Sequence, residues 1–192
     1  MADGAKTVKV PPWLARIVIG RRPKWTLIRV ATLILVAYVL FKFVLIPIQV
    51  KGESMLPTYH TGQINFINRL AYRQHGPERG DVVGIPWLDQ MDGKVLLLKR
   101  VVGLPNETIS FSNNVLFINS QPLDEPYVRW HAEGPYNEPW MMAPILLGPD
   151  QYYVVGDNRT MPIRNHTQGK FHLTQIAGRV LWGAHPKIPD DG

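Results

Sequence analysis

Two segments of the sequence combine residue types that could perform chemistry. In the segment VKGESMLPT, Gly52 and Pro57 bracket Ser54, and this turn-constrained apolar setting would let a hydroxyl meet a peptide carbonyl. In the segment KVLLLKRVVGLP, Lys99 and Arg100 interrupt an otherwise apolar strand. Neighbouring strand residues face opposite sides, so one of these two cations is expected to face the packed side.

A buried lysine is a candidate general base, because desolvation disfavours its ammonium form and lowers its pKa. Paired with Ser54, Lys99 would give the Ser-Lys variant of nucleophile and base. If this strand is considered by itself, the alternative is that the Lys99 ammonium reaches solvent and has no catalytic role.

Other chemistries find little support in the sequence. The absence of cysteine excludes disulfides, Cys-ligated zinc and thiol catalysis. No metal-binding HExxH motif and no glycine-rich phosphate loop is present, so we expect no metal and no cofactor. We interpret the acidic pairs, Asp124 and Glu125 among them, as solvated loop charges. The histidines are likewise interpreted as surface or loop residues; they are His60, His75, His131, His166, His172 and His185.

The positive charge is concentrated at the N-terminal end. Residues 1–51 contain nine Lys or Arg and one acid, whereas residues 52–192 contain twelve Lys or Arg and fourteen acids. A nucleic-acid footprint should instead form a basic patch on the folded domain. We therefore expect no nucleic-acid partner and interpret the basic segment as one that flanks a membrane.

The apolar stretch at residues 27–50 is predicted to be a transmembrane anchor, because about 20 apolar residues span a bilayer. Lys42 is its one charge between residues 30 and 48. The alternative is a cleaved signal peptide, but no small-x-small cleavage site follows. The basic residues before the most apolar part of the stretch, residues 30–41, predict an N-terminus in the cytoplasm; they are Arg16, Arg21, Arg22, Lys24 and Arg29. The predicted organisation is therefore a cytoplasmic segment at 1–26, the anchor and an exported domain at 51–192.

The exported domain is predicted to be mainly β, because short apolar runs rich in branched and aromatic residues alternate with turn residues. These runs occupy residues 63–70, 80–85, 94–104, 108–111, 114–119, 151–157 and 176–182. Residues 108–111 and 115–118 flank a Ser-Asn-Asn turn and predict a hairpin whose turn tolerates positive φ. Residues 126–149, with five prolines and two tryptophans, predict an irregular insertion.

Four segments together resemble the sequence boxes of the type I signal peptidases. They are GESMLPT at 52–58, ERGDVV at 78–83, LKRVVGLP at 98–105 and GDNR at 156–159. The resemblance implies the family's coiled β-sheet catalytic domain after one N-terminal transmembrane helix. It also implies that exported preproteins are the substrates and the bilayer of the bacterial cytoplasmic membrane is a partner, with the catalytic domain on the outer side. The oligomeric state is left open.

By the same resemblance, Ser54 is the nucleophile, Lys99 is the general base and the Ser54 backbone N–H donates to the oxyanion. Gly52 stands where some members have a serine that makes a second oxyanion contact and others have glycine. The supporting loop would comprise Gly156, Asp157, Asn158 and Arg159.

The last box departs from the family pattern. Pro162 replaces the serine that orients the lysine, and Arg164, Asn165 and His166 replace the Asp-Ser-Arg that follows. Proline offers no side-chain hydrogen bond, so we predict that an oxygen of Thr160, Asn165 or Thr167 orients the Lys99 amine. We expect Arg164 to point to solvent or to a carboxylate such as Asp157.

Three functions remain open at this level. The first is a membrane-anchored endopeptidase that removes signal peptides from exported proteins. The second is a specialised relative restricted to few substrates, such as a conjugative-pilin maturation peptidase. The third is an inactive relative that binds preproteins without cleaving them.

Overall fold

The N-terminal unit of the chain contributes one long helix. The computed structural model describes residues 23–89, 93–128, 139–166 and 169–183. Two units, Met1–Phe43 and Val44–Gly192, are distinguished. Helix α1 spans Pro23–Val39, and a π-helical turn follows at Leu40–Val44. Lys24–Val44 is long and apolar enough to cross a membrane, and none of it is buried in the protein.

The helix accommodates its polar residues locally. Thr32 Oγ1 donates to the Ile28 carbonyl, 2.9 Å away, and Lys42 Nζ donates to the Tyr38 hydroxyl, 2.7 Å away. Each pair is four residues apart, the spacing at which helical side chains and carbonyls meet. The Lys42 ammonium also lies 5.1 Å from the Tyr38 ring centroid. Lys42, the one charge between residues 30 and 48, therefore has a partner four residues before it.

The larger sheet of the second unit has seven antiparallel strands in the order β1-β2-β11-β3-β4-β9-β10. The strands are β1 (Leu45–Gln49), β2 (Ile64–Asn68), β3 (Val82–Asp89), β4 (Gly93–Gly103), β9 (Gln151–Val155), β10 (Gly169–His172) and β11 (Gly178–Val180). Short 3₁₀ turns at Ile163–Asn165 and Leu173–Gln175 flank β10.

The smaller sheet has four strands in the order β7-β6-β5-β8. They are β5 (Thr108–Ser112), β6 (Val115–Ile118), β7 (Gln121–Pro122) and β8 (Met142–Leu146). The predicted hairpin is confirmed: Ser112 pairs with Val115, and the turn residues Asn113 and Asn114 have φ of 48° and 71°. Asparagine tolerates this left-handed conformation better than most residues.

The mainly β prediction is confirmed, since each of the seven predicted runs contains a strand. The bounds of the membrane anchor stay a prediction. Within the described residues the helix spans Pro23–Val39, and residues 45–49, which the prediction placed in the anchor, form strand β1. The predicted irregular insertion at 126–149 contains strand β8, which pairs with β5. Residues 129–138 of that insertion lie outside the described part.

Apolar side chains of both sheets form the core. One cluster packs the smaller sheet against β9; it comprises Val102, Ile109, Phe111, Leu116, Ile118, Trp140, Leu147, Tyr153 and Val155. A second cluster lies where β1, β2, β3, β4 and β11 meet; it comprises Val50, Met55, Tyr59, Ile67, Val82, Leu98 and Val180. The second cluster includes residues on both sides of Ser54 and the residue before Lys99, so it positions both candidate side chains.

Candidate active site

Ser54 lies on a tight turn whose flanks are anchored in the core. Met55 is 2% exposed and Tyr59 is fully buried, whereas Ser54 itself is partly exposed. The turn is closed by hydrogen bonds from the Leu56 N–H to the Glu53 carbonyl, 3.1 Å, and from the Tyr59 N–H to the Met55 carbonyl, 2.9 Å. Apolar anchors on its C-terminal side thus hold the serine at the surface of the core.

Gly52 precedes the turn in a left-handed conformation, with φ of +82°. Its carbonyl accepts a hydrogen bond from Thr61 Oγ1, 2.8 Å away. A Cβ at this position would meet no atom within 4 Å. Glycine is therefore favoured here by backbone conformation rather than by lack of space.

The loop after β9 holds the serine turn through hydrogen bonds to two of the turn's main-chain carbonyls. The Asn158 N–H donates to the Ser54 carbonyl at 3.0 Å, and Asn158 Nδ2 donates to the Glu53 carbonyl, also at 3.0 Å. Asn158 is 9% exposed. One residue therefore fixes both carbonyls around the candidate nucleophile.

Lys99 lies in β4 and is 2% exposed. Burial lowers the pKa of its amine from 10.5 to about 8, and the nearby Asp157 carboxylate opposes this shift. Near neutral pH the amine is therefore much closer to its neutral form than an exposed lysine would be. The prediction that a cation of this strand faces the packed side is confirmed.

Gly156 is the point at which these segments meet. Strands β4 and β9 pair Arg100 with Val155, and continuing this register by one residue puts Lys99 opposite Gly156. Side chains of opposed residues project to the same face of a sheet. A Cβ on Gly156 would lie 2.2 Å from the Ser54 carbonyl oxygen, closer than any contact atoms allow. We infer that Lys99 projects towards the face on which Ser54 packs.

A cleft of about 470 Å³ opens beside Ser54. Its walls are the segment from Ile48 to Met55 on one side and residues Val95 to Leu98 of β4 on the other. Within the described residues, β9 pairs with β4 only from Arg100 onward. The remaining edge of β4 therefore borders the cleft with backbone groups available to an extended peptide.

Arg100 is also buried, which the alternation of strand faces did not predict. Its Nε donates to Asp157 Oδ1 at 2.8 Å, its second terminal nitrogen donates to Oδ2 at 2.6 Å, and both side chains are 0% exposed. Thr58 Oγ1 donates to the same carboxylate, and the Tyr127 ring lies 4.0 Å from the guanidinium carbon. Arg100 is buried because the loop after β9 brings its counter-charge over that face.

The interpretation of Glu125 as a solvated loop charge was wrong. Its carboxylate receives two hydrogen bonds from Arg159, at 3.1 and 2.6 Å, and the side chains of the pair are 8% and 0% exposed. The Arg159 guanidinium lies 5.1 Å from the Trp140 ring centroid and 5.3 Å from that of Phe111. Arg159 thus ties the loop after β9 to the smaller sheet. Asp124 is exposed, as expected.

The residues predicted to orient Lys99 are only partly described. The Thr160 hydroxyl donates to Asn158 Oδ1, 2.6 Å away. Thr167 and the side chain of Asn165 lie outside the described part, so their role stays a prediction. Arg164 is exposed, in line with the expectation that it points to solvent. The alternative partner, Asp157, is bound to Arg100 and Thr58 instead.

His166 lies in a loop, as the sequence analysis interpreted, but it is buried, with 6% exposure. Its Nε2 lies 2.7 Å from the Asn158 carbonyl oxygen, and its ring packs edge-on against Trp140 at a centroid distance of 4.8 Å. Burial and the nearby Lys99 lower its pKa from 6.5 to about 4. The other described histidines are exposed, namely His60, His75 and His172. His131 and His185 lie outside the described part.

The sequence analysis named Arg100 and His166 but missed that both are buried. It expected only one of the two neighbouring cations, Lys99 and Arg100, to face the packed side. His166 was noted only as a departure from the arginine of the family pattern. Within the described residues, no group of three His, Asp or Glu side chains could hold a metal ion.

Comparisons with known proteins show the family to which the chain belongs. The family model for signal peptidase, peptidase S26, matches residues 24–182. Signal peptidase IB of Staphylococcus aureus is 30% identical over 172 residues, which cover 83% of this chain and 88% of that protein. Signal peptidase I S of Bacillus subtilis is 32% identical over 160 residues, covering 80% and 84%. A crystal structure of a signal peptidase I from Enterococcus faecalis matches with a TM-score of 0.41 at 22% identity, covering 54% of this chain and 95% of that one.

The chain therefore belongs to the signal peptidase family, peptidase S26. It is a serine endopeptidase of the signal peptidase I type. Exported preproteins are the substrates that this family implies.

Proposed function

We propose that this protein is a membrane-anchored endopeptidase that cleaves signal peptides from exported preproteins with Ser54 as nucleophile and Lys99 as general base. The observation that carries the proposal is a buried lysine of lowered pKa in β4, next to a cleft whose wall includes Ser54. Burial supplies the neutral amine that a base requires, and the turn presents the serine hydroxyl beside the cleft.

In the proposed reaction, the neutral Lys99 amine takes the proton of Ser54 Oγ while Oγ forms a bond to the scissile carbonyl carbon. The Ser54 N–H, with Gly52 nearby, donates to the resulting oxyanion. The Lys99 ammonium then gives its proton to the leaving amine as the C–N bond breaks, leaving an ester on Ser54. Water attacks this ester as Lys99 takes its proton, and the Lys99 ammonium returns that proton to Ser54 Oγ as the ester C–O bond breaks and the acid product leaves.

Substrate binding is proposed to use the open edge of β4. An extended peptide in the cleft could form main-chain hydrogen bonds to the segment Val95–Leu98 and bring its carbonyl to Ser54. The apolar residues Ile48, Met55 and Leu98 are among those that line the cleft. The family resemblance implies small residues, typically alanine, at the first and third positions before the cut.

Anchoring is proposed for the segment Lys24–Val44. Its 21 residues would extend about 31 Å as a helix, which matches the hydrocarbon thickness of about 30 Å. The basic residues that precede and begin this segment favour a cytoplasmic N-terminus, so the catalytic unit would lie on the outer side of a bacterial cytoplasmic membrane. Lys42, bonded to Tyr38, would lie in the outer part of the span and reach towards the headgroups.

The test is cleavage of a purified preprotein by the full-length enzyme in detergent or vesicles. Ser54→Ala and Lys99→Ala should each lower kcat at least about a thousandfold, and the double variant should be little worse, because members of one catalytic unit are not additive. Ser112→Ala and Lys170→Ala, which change exposed residues of the same types, are the matched controls. More than a few per cent of wild-type activity in either single variant would reject the assignment.

A panel of preproteins then defines the substrate range. A general enzyme should cleave most members that carry small residues at the first and third positions before the cut. Cleavage of one pilin-like precursor alone would favour the specialised alternative.

A further inference from the structure

His166 is a buried polar residue that the proposed reaction leaves without a role. The ring is 6% exposed, and its Nδ1 atom is buried with no hydrogen-bond partner in the part of the chain that the structure describes. A buried nitrogen without a partner destabilises the fold, so its presence here calls for an explanation.

The tautomer of His166 follows from its other nitrogen. Nε2 lies 2.7 Å from the Asn158 carbonyl oxygen, which can only accept, so Nε2 carries the proton. With a pKa of about 4, the imidazole is neutral in the pH range of a lysine base, and Nδ1 is left as a lone-pair acceptor. The Trp140 ring packs against the imidazole and fixes its plane.

The Nδ1 edge of the His166 ring faces Gly156, beside the Ser54 carbonyl. Nδ1 and Cε1 both lie 3.1 Å from the position that a Cβ on Gly156 would occupy, and that position is also next to the Ser54 carbonyl. Lys99 is opposite Gly156 in the sheet register and projects to the same face. The charged groups that act on His166 are Lys99 of β4 and Arg159 of the loop.

We propose that His166 is a positioning residue whose Nδ1 accepts a hydrogen bond from the Lys99 amine and thereby replaces the hydroxyl that is missing at Pro162. This inference rests on the proposed role of Lys99 as the base. Pro162 is buried and has no donor or acceptor in its side chain, and the Thr160 hydroxyl is directed to Asn158. Nδ1 has no partner within hydrogen-bond distance in the described part of the structure, so the proposed bond belongs to the substrate-bound enzyme, in which catalytic hydrogen bonds shorten.

A second consequence concerns the serine turn. His166 Nε2 holds the carbonyl of Asn158, and the N–H of Asn158 holds the Ser54 carbonyl. The two nitrogens of one ring would thus serve the two candidate catalytic residues. Nε2 acts on the nucleophile through the backbone, and Nδ1 acts on the base.

Two amide substitutions separate these nitrogens. His166→Gln extends to the position of Nε2 and keeps a donor for Asn158 but offers nothing at Nδ1, whereas His166→Asn puts an amide oxygen near Nδ1 and loses the Nε2 donor. We expect His166→Gln to lower kcat about tenfold with KM changed less than about twofold, and His166→Asn to keep kcat within about threefold but to unfold at lower temperature.

The pH profile gives a readout that a purely structural role would not move. An acceptor stabilises the ammonium more than the amine, so losing it in His166→Gln should shift the rise of kcat to lower pH, by roughly 0.5–1 unit. His166→Asn should leave the midpoint in place. A wild-type kcat and midpoint in His166→Gln would overturn the proposal, as would a tenfold loss in Asn165→Ala with His166→Gln unaffected.

An independent measurement covers the case in which the variants fold poorly. Imidazole ¹⁵N chemical shifts of the Ser54→Ala protein should report the Nε2–H tautomer of His166 between pH 6 and 9, and the Nδ1–H tautomer would overturn the proposal. Activity of Lys99→Ala would instead reject the proposed base itself. Inactive Lys99→Ala with a wild-type His166→Gln would reject only the role of His166.

Discussion

Arg100 and Asp157 form a doubly hydrogen-bonded ion pair with no solvent exposure, between the strand that carries Lys99 and the loop that holds Ser54. The third nitrogen of the guanidinium donates to the Gly80 carbonyl at 2.7 Å, so the charge is well satisfied. The Arg100–Asp157 pair therefore links strand β4 to the loop that contains Asn158. The Asp157 carboxylate also acts on Lys99 and keeps its pKa from falling further.

Breaking this pair should strongly destabilise the fold. Asp157→Asn leaves a buried guanidinium without its counter-charge, and we expect a loss of about 3–5 kcal/mol in the free energy of unfolding. Urea unfolding at pH 7 measures this loss in the free energy of unfolding. The exposed pair of His172 and Asp150 gives the control, since Asp150→Asn should change stability by less than about 0.5 kcal/mol. Equal effects of the two substitutions would contradict the importance assigned to the buried pair.

Lys99 should reduce stability at neutral pH. Its pKa of about 8 lies below the ordinary value of 10.5, so the unfolded chain binds more protons between these values and stability rises with pH across this window. Lys99→Met removes the penalty, and we expect roughly 1–3 kcal/mol greater stability at pH 7 with no cleavage. Lys170→Met, at an exposed site, should change little. A pH-independent difference between wild type and Lys99→Met would argue against a perturbed Lys99.

The rate of cleavage should rise with pH through about 8 and then level off, because the base must be neutral. His166 has a pKa of about 4 and does not titrate in this range. Replacing any one histidine should therefore leave a rising limb, measured as kcat/KM against pH on one peptide substrate. Complete loss of activity in a folded histidine variant would contradict Lys99 as the base.

Gly156→Ala should damage the site more than the fold. The added Cβ would lie 2.2 Å from the Ser54 carbonyl oxygen and 3.1 Å from the His166 ring, so the serine turn must move. A displacement of this size at the nucleophile lowers kcat by about a hundredfold. Gly148→Ala is the control, because its Cβ would meet only the flexible Gln151 side chain. Near-normal kcat in Gly156→Ala would show that the close approach is dispensable.

The proposed topology predicts which part of the chain a protease can reach. Added to the outer face of intact cells or spheroplasts, a protease should digest residues 60–192 and spare a cytoplasmic tag before residue 1. Detection of both fragments with tag-specific antibodies provides the measurement. Protection of the catalytic unit until the membrane is opened would mean the opposite orientation.

The strands that the sequence did not predict share a physical feature. Within the described residues they are β1, β7, β8 and β10, the edge strands of the two sheets, and each pairs with a single neighbour. Three of them contain proline, at Pro47, Pro122 and Pro144. An edge strand tolerates proline because one row of its N–H groups needs no partner. In β1, moreover, the apolar run continues without a break from the helix, so periodicity offered no boundary.

The candidate site was likewise predictable from the sequence only in part. Ser54 and Lys99 stand in local patterns that indicate reactive chemistry, and the GDNR segment extends the resemblance. The burial of His166 and Glu125 depends on partners far along the chain, Trp140 and Arg159, which no local pattern reveals. Polar residues of this kind look like solvated loop residues until the tertiary contacts are known.

The position of β11 has a consequence for the timing of activity. Strands β1 and β2, which flank Ser54, are joined through β11, at Gly178–Val180, to β3 and its neighbour β4, which carries Lys99. We therefore expect nucleophile and base to be brought into register only after β11 has been synthesised and has paired with β2 and β3. A partly translocated copy of the proposed enzyme would be inert and could not cut its own anchor or a neighbour's while still emerging from the membrane.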